Sequence, residues 1–377
     1  MTWWQIFMQE CTLLIKKDPR RIIFIIGAPI AYLFLFGLLY SPQIVNHIPI
    51  AICDEDQTPL SRAIIQQLSD SERLNLVAVT NNEFTTQDLF NQNITTATVY
   101  IPQNFSQQIK TGISSKILLT VDGSNLISTN TLLTTIQPII ADTTANVSAQ
   151  LLNTNLKAPT NALGKVMPVQ LQYRVLHNQN ESYLYFFLIG LAMAAFQQGI
   201  FLSTGASFLA QPLNIPDNRY RSLFYHFSAK LTPYFLSSIF AFALTIYTAI
   251  HYFNLPNLFS FIELSALGVA FTCAAIAFTL LLSSFIKSEL IFTRCSIIYT
   301  VPAFILSGYI WPYQSMSLVS KLLSYLFPIT YLSSTCREII LTGTSPNTWN
   351  DVLVLNLICL ICTCIGLFRY KKTLAQA

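Results

Sequence analysis

The sequence predicts a polytopic α-helical membrane protein: six transmembrane helices plus a re-entrant helical hairpin, with a mixed α/β extracytoplasmic domain inserted after the first helix. Three observations carry this reading. Apolar residues make up 53% of the 377 residues, and Asp, Glu, Lys and Arg only 10%, well below the roughly 25% charged fraction of soluble domains. Residues 22–41 form one apolar run of the length that crosses about 30 Å of hydrocarbon. A long polar stretch follows, and a dense cluster of apolar segments begins only near Tyr183 and continues almost to the C-terminus.

Taken in order, residues 2–17 place Trp3, Trp4, Phe7, Met8, Cys11, Leu14 and Ile15 on one stripe, with Gln5, Gln9, Thr12 and Lys16 opposite. That pattern predicts an amphipathic helix lying in the cytoplasmic interface within residues 1–21. The run at 22–41 begins only after Lys16, Lys17, Arg20 and Arg21 and lacks an A-x-A cleavage site. It reads as an uncleaved anchor and not as a signal peptide. Further spans are read at 183–204, 231–253, 260–286, 290–310 and 350–368. Residues 311–343 are apolar but broken by Pro312, Pro328 and Gly343, and each half is too short to cross. They read as extracytoplasmic re-entrant helices, because broken backbone at membrane depth is tolerated only where protein buries it. The alternative, one more distorted span, moves the C-terminus to the opposite side and breaks the charge pattern.

Basic residues orient the set. Lys16, Lys17, Arg20 and Arg21 precede the first span; Arg219, Arg221 and Lys230 lie in the 205–230 loop; Lys287 and Arg294 flank the turn between the fourth and fifth spans; Arg369, Lys371 and Lys372 open the 369–377 tail. With six spans all four groups fall on one side, so both termini are expected in the cytoplasm and residues 42–182 outside. The net charge of +4 is spread over span ends, which does not describe a nucleic-acid-binding surface.

Within 42–182, strand-like runs at 49–53, 74–79, 96–101 and 117–122 alternate with helix-like runs at 61–68, 85–92, 104–112 and 125–156, the pattern of a small mixed α/β domain. Asp54, Glu55 and Asp56 end the first strand. They suit either a divalent cation or the cap of the helix beginning near Thr58, and capping is the commoner use. Cys53 is the only cysteine of this domain, which excludes a disulfide inside it. Cys359, Cys362 and Cys364 have metal-like spacing but lie in an apolar helix without a nearby His or carboxylate, so they read as packing residues.

No G-x-x-x-x-G-K-[ST], G-x-S-x-G or H-E-x-x-H pattern occurs. The ionisable residues of the later spans, His251, Glu263, Glu289 and Arg294, sit near span ends, where charge is least costly. An ion-coupled carrier needs such groups at mid-depth, so the energy for any transport is expected from a partner.

Four stretches in order resemble the permease subunit of ABC-2 type exporters, the kind that works with a membrane fusion adaptor: DPRRIIFIIGAPI (18–30), IPIAICDEDQTPLSRAIIQQL (48–68), ATVYIPQNFSQQI followed by LLTVDGSN (97–125), and SGYIWPYQSMSLVSKLLSYLFPITYLSSTCREIIL (307–341). The resemblance covers essentially the whole chain. It implies residence in a bacterial inner membrane, pairing with a second permease copy or a paralogue, and ABC ATPase subunits that hold ATP and Mg. No cofactor is then expected on this chain. A periplasmic adaptor, an outer-membrane channel and membrane lipids are further implied partners. The family's acidic docking motif, roughly RERExGT, is replaced here by Asp217, Asn218, Arg219, Tyr220 and Arg221. Asp217, Arg219, Tyr220 and Arg221 are therefore the expected coupling residues. Pro312, Tyr313 and Pro328 are the expected extracytoplasmic gate, since proline holds the breaks that re-entry requires. With 27 Phe and 17 Tyr and almost no charge in the spans, an amphipathic or apolar cargo is expected. The competing reading is a non-transport membrane scaffold or receptor with a ligand-binding external domain; the compact, mixed external region favours the exporter.

Overall fold

The computed structural model describes residues 2–42, 44–111, 115–156, 177–178, 182–210, 220–286 and 288–376. The chain divides into two compact units, Met1–Gln43 with Val175–Ala377, and Ile44–Arg174.

The first unit is helical. It comprises α1 (Trp3–Thr12), α2 (Arg20–Leu39), α7 (Tyr183–Ala210), α8 (Tyr220–His251), α9 (Phe261–Ser283), α10 (Glu289–Ile305), α11 (Leu318–Ser324), α12 (Pro328–Thr342) and α13 (Thr348–Gln376). Five of these, α2, α7, α8, α9 and α13, are long and apolar enough to cross a membrane. The helix at the expected fifth span is shorter than the 290–310 reading. It has 17 residues and ends at Ile305, about 25 Å of helix at 1.5 Å per residue. Pro302 lies in its last turn, and the chain then reverses at Gly308, where φ is +82°.

Other boundaries move too. The first span begins at Arg20, since Asp18 and Pro19 break the preceding helix. The fourth ends at Ser283 instead of 286, and α13 runs without a break from Thr348 to Gln376, through the residues read as a tail. Much of the 205–230 segment, read as a loop, is helix: α7 continues to Ala210 and α8 starts at Tyr220. Between Pro312 and Thr342 the chain forms a 3-10 turn at Tyr313–Ser315, then the short α11, then α12 with Pro328 in its first turn.

Helix α7 is the central element and is mostly buried, whereas α2 and α13 are mostly exposed. Because lipid tails are as apolar as leucine, helices in a membrane associate through close packing at small residues. Gly199 of α7 shows this directly: a Cβ there would lie 2.3 Å from the Phe24 carbonyl oxygen of α2. The facing part of α2 is a π-helical stretch, Ile23–Gly27, just ahead of Pro29. Proline lacks the N–H that would extend the ladder, and a π-bulge absorbs the mismatch.

The second unit holds a four-stranded sheet: β1 (Ile48–Asp54), β2 (Leu74–Thr80), β3 (Ala97–Ile101) and β4 (Leu118–Val121), in the order β2-β1-β3-β4. β1 pairs in parallel with β2 and β3, and β4 closes the sheet antiparallel to β3. Helices α3 (Pro59–Ser69), α4 (Glu83–Asn91), α5 (Phe105–Lys110) and α6 (Leu126–Leu156) complete it. β1 is central and buried along most of its length, hence its nearly continuous apolar run. Leu60, Ile64 and Leu68 of α3 meet Leu132 and Ile136 of α6 over the sheet, a stripe at helical spacing.

The Asp54–Asp56 carboxylates serve the turn after β1. Asp54 accepts from the Asp56 and Gln57 N–H groups and the Ser61 hydroxyl. Asp56 accepts from Thr58 Oγ1 and the Ser106 N–H, and Thr58 and Ser61 form a capping box on α3. Glu55 accepts from the Tyr100 hydroxyl at 2.8 Å, which pushes the phenol up to about 12. Among the described residues no group of three or more His, Cys, Asp or Glu could hold a metal ion.

The α2–α7 contact gives a direct test. Gly199→Ala should destabilise the protein by roughly 1–3 kcal/mol through overpacking. Gly123→Ala, where an added Cβ meets nothing within 4 Å, should leave the thermal midpoint in detergent unchanged.

Candidate functional site

The helix bundle has two ends. The first gathers α1, the start of α2, the end of α7, the start of α8, the end of α9 and the end of α13. Contacts define it: Trp3 with Tyr225 and Ser228, Glu10 with Ser207 and Lys230, and Ser283 with Tyr370. The second end is defined by the Phe34 and Phe253 rings, by Tyr185 with Asn254, and by Glu263 with Ser345 and Thr348.

A buried polar cluster organises the first end. Lys230 Nζ lies 3.5 Å from Glu10 Oε1, and both side chains are only 5% exposed. Lys230 also donates to the Ser207 carbonyl at 2.7 Å, and the Ser207 hydroxyl donates to Glu10 Oε1 at 3.1 Å. One turn along α8, Tyr234 accepts from Arg21 at 2.9 Å, while Arg21 Nε donates to Asp18 at 3.1 Å. The Ser203 hydroxyl caps the Arg21 carbonyl at 2.6 Å. Arg20 donates to the other Asp18 oxygen at 2.8 Å, and this bond, helped by the nearby Arg21 charge, holds the Asp18 carboxyl below its ordinary range. The N-terminal helix is thus strapped to α8: its Trp3 N–H donates to the Tyr225 hydroxyl at 2.5 Å and its indole to Ser228 at 3.3 Å.

This arrangement differs from the amphipathic stripe read from sequence. The face of α1 and its following turn that packs on protein carries Ile6, Glu10, Leu13 and Leu14, while Trp4, Met8 and Ile15 are exposed. Glu10 escaped the sequence reading because its partners, Ser207 and Lys230, are remote in sequence and Lys230 was counted only as a topology residue. The spacing of Glu10 four residues from both Ile6 and Leu14 was the available signal.

Of the expected coupling residues, Asp217 and Arg219 lie outside the described residues. Tyr220 and Arg221 open α8, and their side chains lie outside the description too. The segment they belong to leads directly into the part of α8 that holds Tyr225, Ser228 and Lys230.

At the second end, Tyr309 is the pivot. Its ring fills the space over Gly190, where a Cβ would come within 2.3 Å. Its hydroxyl accepts from the Gly190 N–H at 3.0 Å and donates to the Phe186 carbonyl, two groups that an α-helix ordinarily pairs with each other. The Arg337 guanidinium lies 4.2 Å from the Tyr309 ring centre and 4.5 Å from that of Phe186, within cation–π range. Among the expected gate residues, Pro312 leads into the 3-10 turn, Tyr313 donates its hydroxyl to Tyr325, and Pro328 is buried at the start of α12. Tyr331 donates to the Tyr325 carbonyl at 3.1 Å, so Tyr313 and α12 meet at Tyr325. Tyr309 and Arg337 were not singled out from sequence; nothing in their spacing announces a contact with α7.

Apolar helices with their charges gathered at two ends, together with an inserted α/β unit, define a polytopic membrane protein. The chain belongs to the ABC-2 family: the pattern described as ABC-2 family transporter protein matches residues 20–368. It is 22% identical over 358 residues to the probable multidrug ABC transporter permease YbhR of Escherichia coli (strain K12), which covers 93% of this chain and 92% of that protein. It is also 26% identical over 137 residues to the probable multidrug ABC transporter permease YbhS of the same strain, 36% of this chain and 35% of that one. The resemblance read from the sequence motifs is therefore membership of the family.

Two measurements test the first-end cluster. Lys230→Met, which strands a buried carboxylate, should cost roughly 3–5 kcal/mol, whereas the Glu10→Met/Lys230→Met double variant should recover most of that loss. Thermal unfolding of the wild type, Glu10→Met, Lys230→Met and the double variant in detergent closes the cycle. For Asp18 the folded carboxyl titrates below the unfolded one, so its stabilisation is present above the ordinary carboxylate range near about 4 and is lost as pH falls through the lower folded value. Asp18→Asn should remove that acid-side dependence from the unfolding profile.

Proposed function

We propose that this chain is the membrane permease of an ATP-driven exporter, acting as a pair of permeases, identical or paralogous, with two cytoplasmic ATPase subunits. It sits in a bacterial inner membrane with both termini cytoplasmic, so that the first end of the bundle faces nucleotide. The observation that carries the reading is the strap of α1 onto α8 through Glu10 and Lys230, immediately after the 211–219 segment that holds two of the four coupling candidates. An ATPase gripping that segment and α1 pulls on one body, and rigid-body movement of packed helices is an established way to send such a displacement across a bundle.

The wide spread of Lys and Arg at the first end supports its cytoplasmic placement. The inserted α/β unit then lies outside, where it guides cargo or meets an adaptor that continues to an outer-membrane channel. Residues 311–343 close the outer end, with Pro312, Tyr313 and Pro328 holding the breaks and Tyr309 and Arg337 anchoring them to α7. The cargo is amphipathic or apolar: a drug-like molecule, a lipid or an envelope component. The names of the E. coli relatives, multidrug permeases, agree with that class. ATP and Mg bind the partner subunit and not this chain.

Purification in mild detergent with the ATPase co-expressed tests the assignment. The wild-type chain should retain the ATPase and stimulate its turnover. Arg219→Glu/Arg221→Glu should lose both while the permease still folds. Unchanged assembly and turnover would remove the segment from the coupling path.

A further inference from the structure

The seam between α8 and α9 is hollow at both ends of the bundle. Toward the second end a cavity of about 310 Å³ opens between the helices under the 252–260 connection. Its volume stands at the lower end of the roughly 300–1,000 Å³ typical of ligand pockets. Its floor is Phe242, whose ring is admitted by Gly268; a Cβ at that position would lie 2.5 Å from the ring. Toward the first end a second cavity of about 240 Å³ is lined by α8 from Phe224 to Phe235, by α9 from Cys273 to Leu280, and by α13. The two lie on one continuous stripe of each helix, at the i, i+3, i+4 spacing of a single face.

We propose that this seam is a binding site for bilayer phospholipid, one acyl chain in the groove at each end. The larger groove has the polarity of an amphiphile. Ile239, Phe242 and Val269 make its depth apolar, while Tyr247, His251 and Asn257 stand toward its mouth, where the apolar stretches of α8 and α9 end. That is the level of the headgroup region when these helices span a bilayer. The His251 ring packs on Tyr247 with centres 4.3 Å apart, and both residues are exposed, so a polar head above the groove finds an aromatic and an imidazole edge. A single through-going ligand does not account for two separate cavities in opposite halves; two lipids, one from each leaflet, do. The proposal rests on the helices crossing a membrane and not on the ATP-driven reading.

The test is photolabelling of the whole protein in phospholipid vesicles that contain a phosphatidylethanolamine with a diazirine near the end of one acyl chain. Peptide mapping should concentrate the label on the α8 and α9 seam. Ala243 lines the larger groove and is exposed, so Ala243→Trp fills the groove without disturbing the core and should abolish labelling there. Ile298→Trp, on the exposed face of α10, should leave it intact. Folding of both variants is checked by their elution as single species in detergent. Label spread evenly over the exposed faces of α2, α10 and α13 would overturn the proposal. So would labelling of the larger groove that survives Ala243→Trp, or seam labelling that an amphipathic transport substrate displaces while excess unlabelled phospholipid does not.

Discussion

Glu10 and Lys230 lie together with almost no access to water, and the layout of the first end follows from the need to keep them so. Either charge alone at that depth is far costlier than the pair. Lys230 sits within an apolar helix, α8, so its partner must come from another element, and α1 is the element that brings it. A short amphipathic segment that would otherwise float at a membrane surface is thereby fixed in rotation and in height. Asp18 and Pro19 end the helical run that follows α1, and just beyond that break Arg21 meets Tyr234. A chain of named contacts thus runs from the half-buried Trp3 to Tyr234, which is fully buried in the bundle.

The rest of the helical unit obeys a different rule. Away from its ends, polar side chains are mostly hydroxyls that bond back to their own helix, such as Thr245, Thr272 and Thr279. Gln198 is an exception that ties helices together, reaching Ser296 and Thr300 of α10. Those bonds tie the 17-residue α10 to the central helix. Glycines supply the remaining intimacy: Gly199 admits the backbone of α2, while Gly37, Gly190, Gly205 and Gly268 admit the rings of Phe253, Tyr309, Phe292 and Phe242.

Much of this was legible in the residues, and the parts that were not share a cause. Hydropathy and period located each long helix, and alternation of Val and Ile with turn residues located β1 to β4 within a residue or two, because those signals are local. Helix ends were less accessible: α7 and α8 extend into polar sequence that reads as loop, and α10 stops early at Pro302 and Gly308. Most opaque were contacts between distant positions. Glu10 carried no role in the sequence reading, because Lys230 and Ser207, which hold it, are remote in sequence. Tyr309 was not singled out, since its grip on Gly190 depends on a helix more than a hundred residues away. The carboxylates after β1 were the converse case, a metal-like triplet whose oxygens are absorbed by the turn and by Ser106.

The Tyr309 hydroxyl has a mechanical corollary. It grips α7 by two backbone groups, the Gly190 N–H and the Phe186 carbonyl, so exchanging side chains elsewhere on that helix leaves the bonds in place, and only a bulkier residue at position 190 pushes the ring away. Arg337, lying over the same ring and over that of Phe186, adds a second hold. The broken 306–343 region is in that sense moored to the frame of α7.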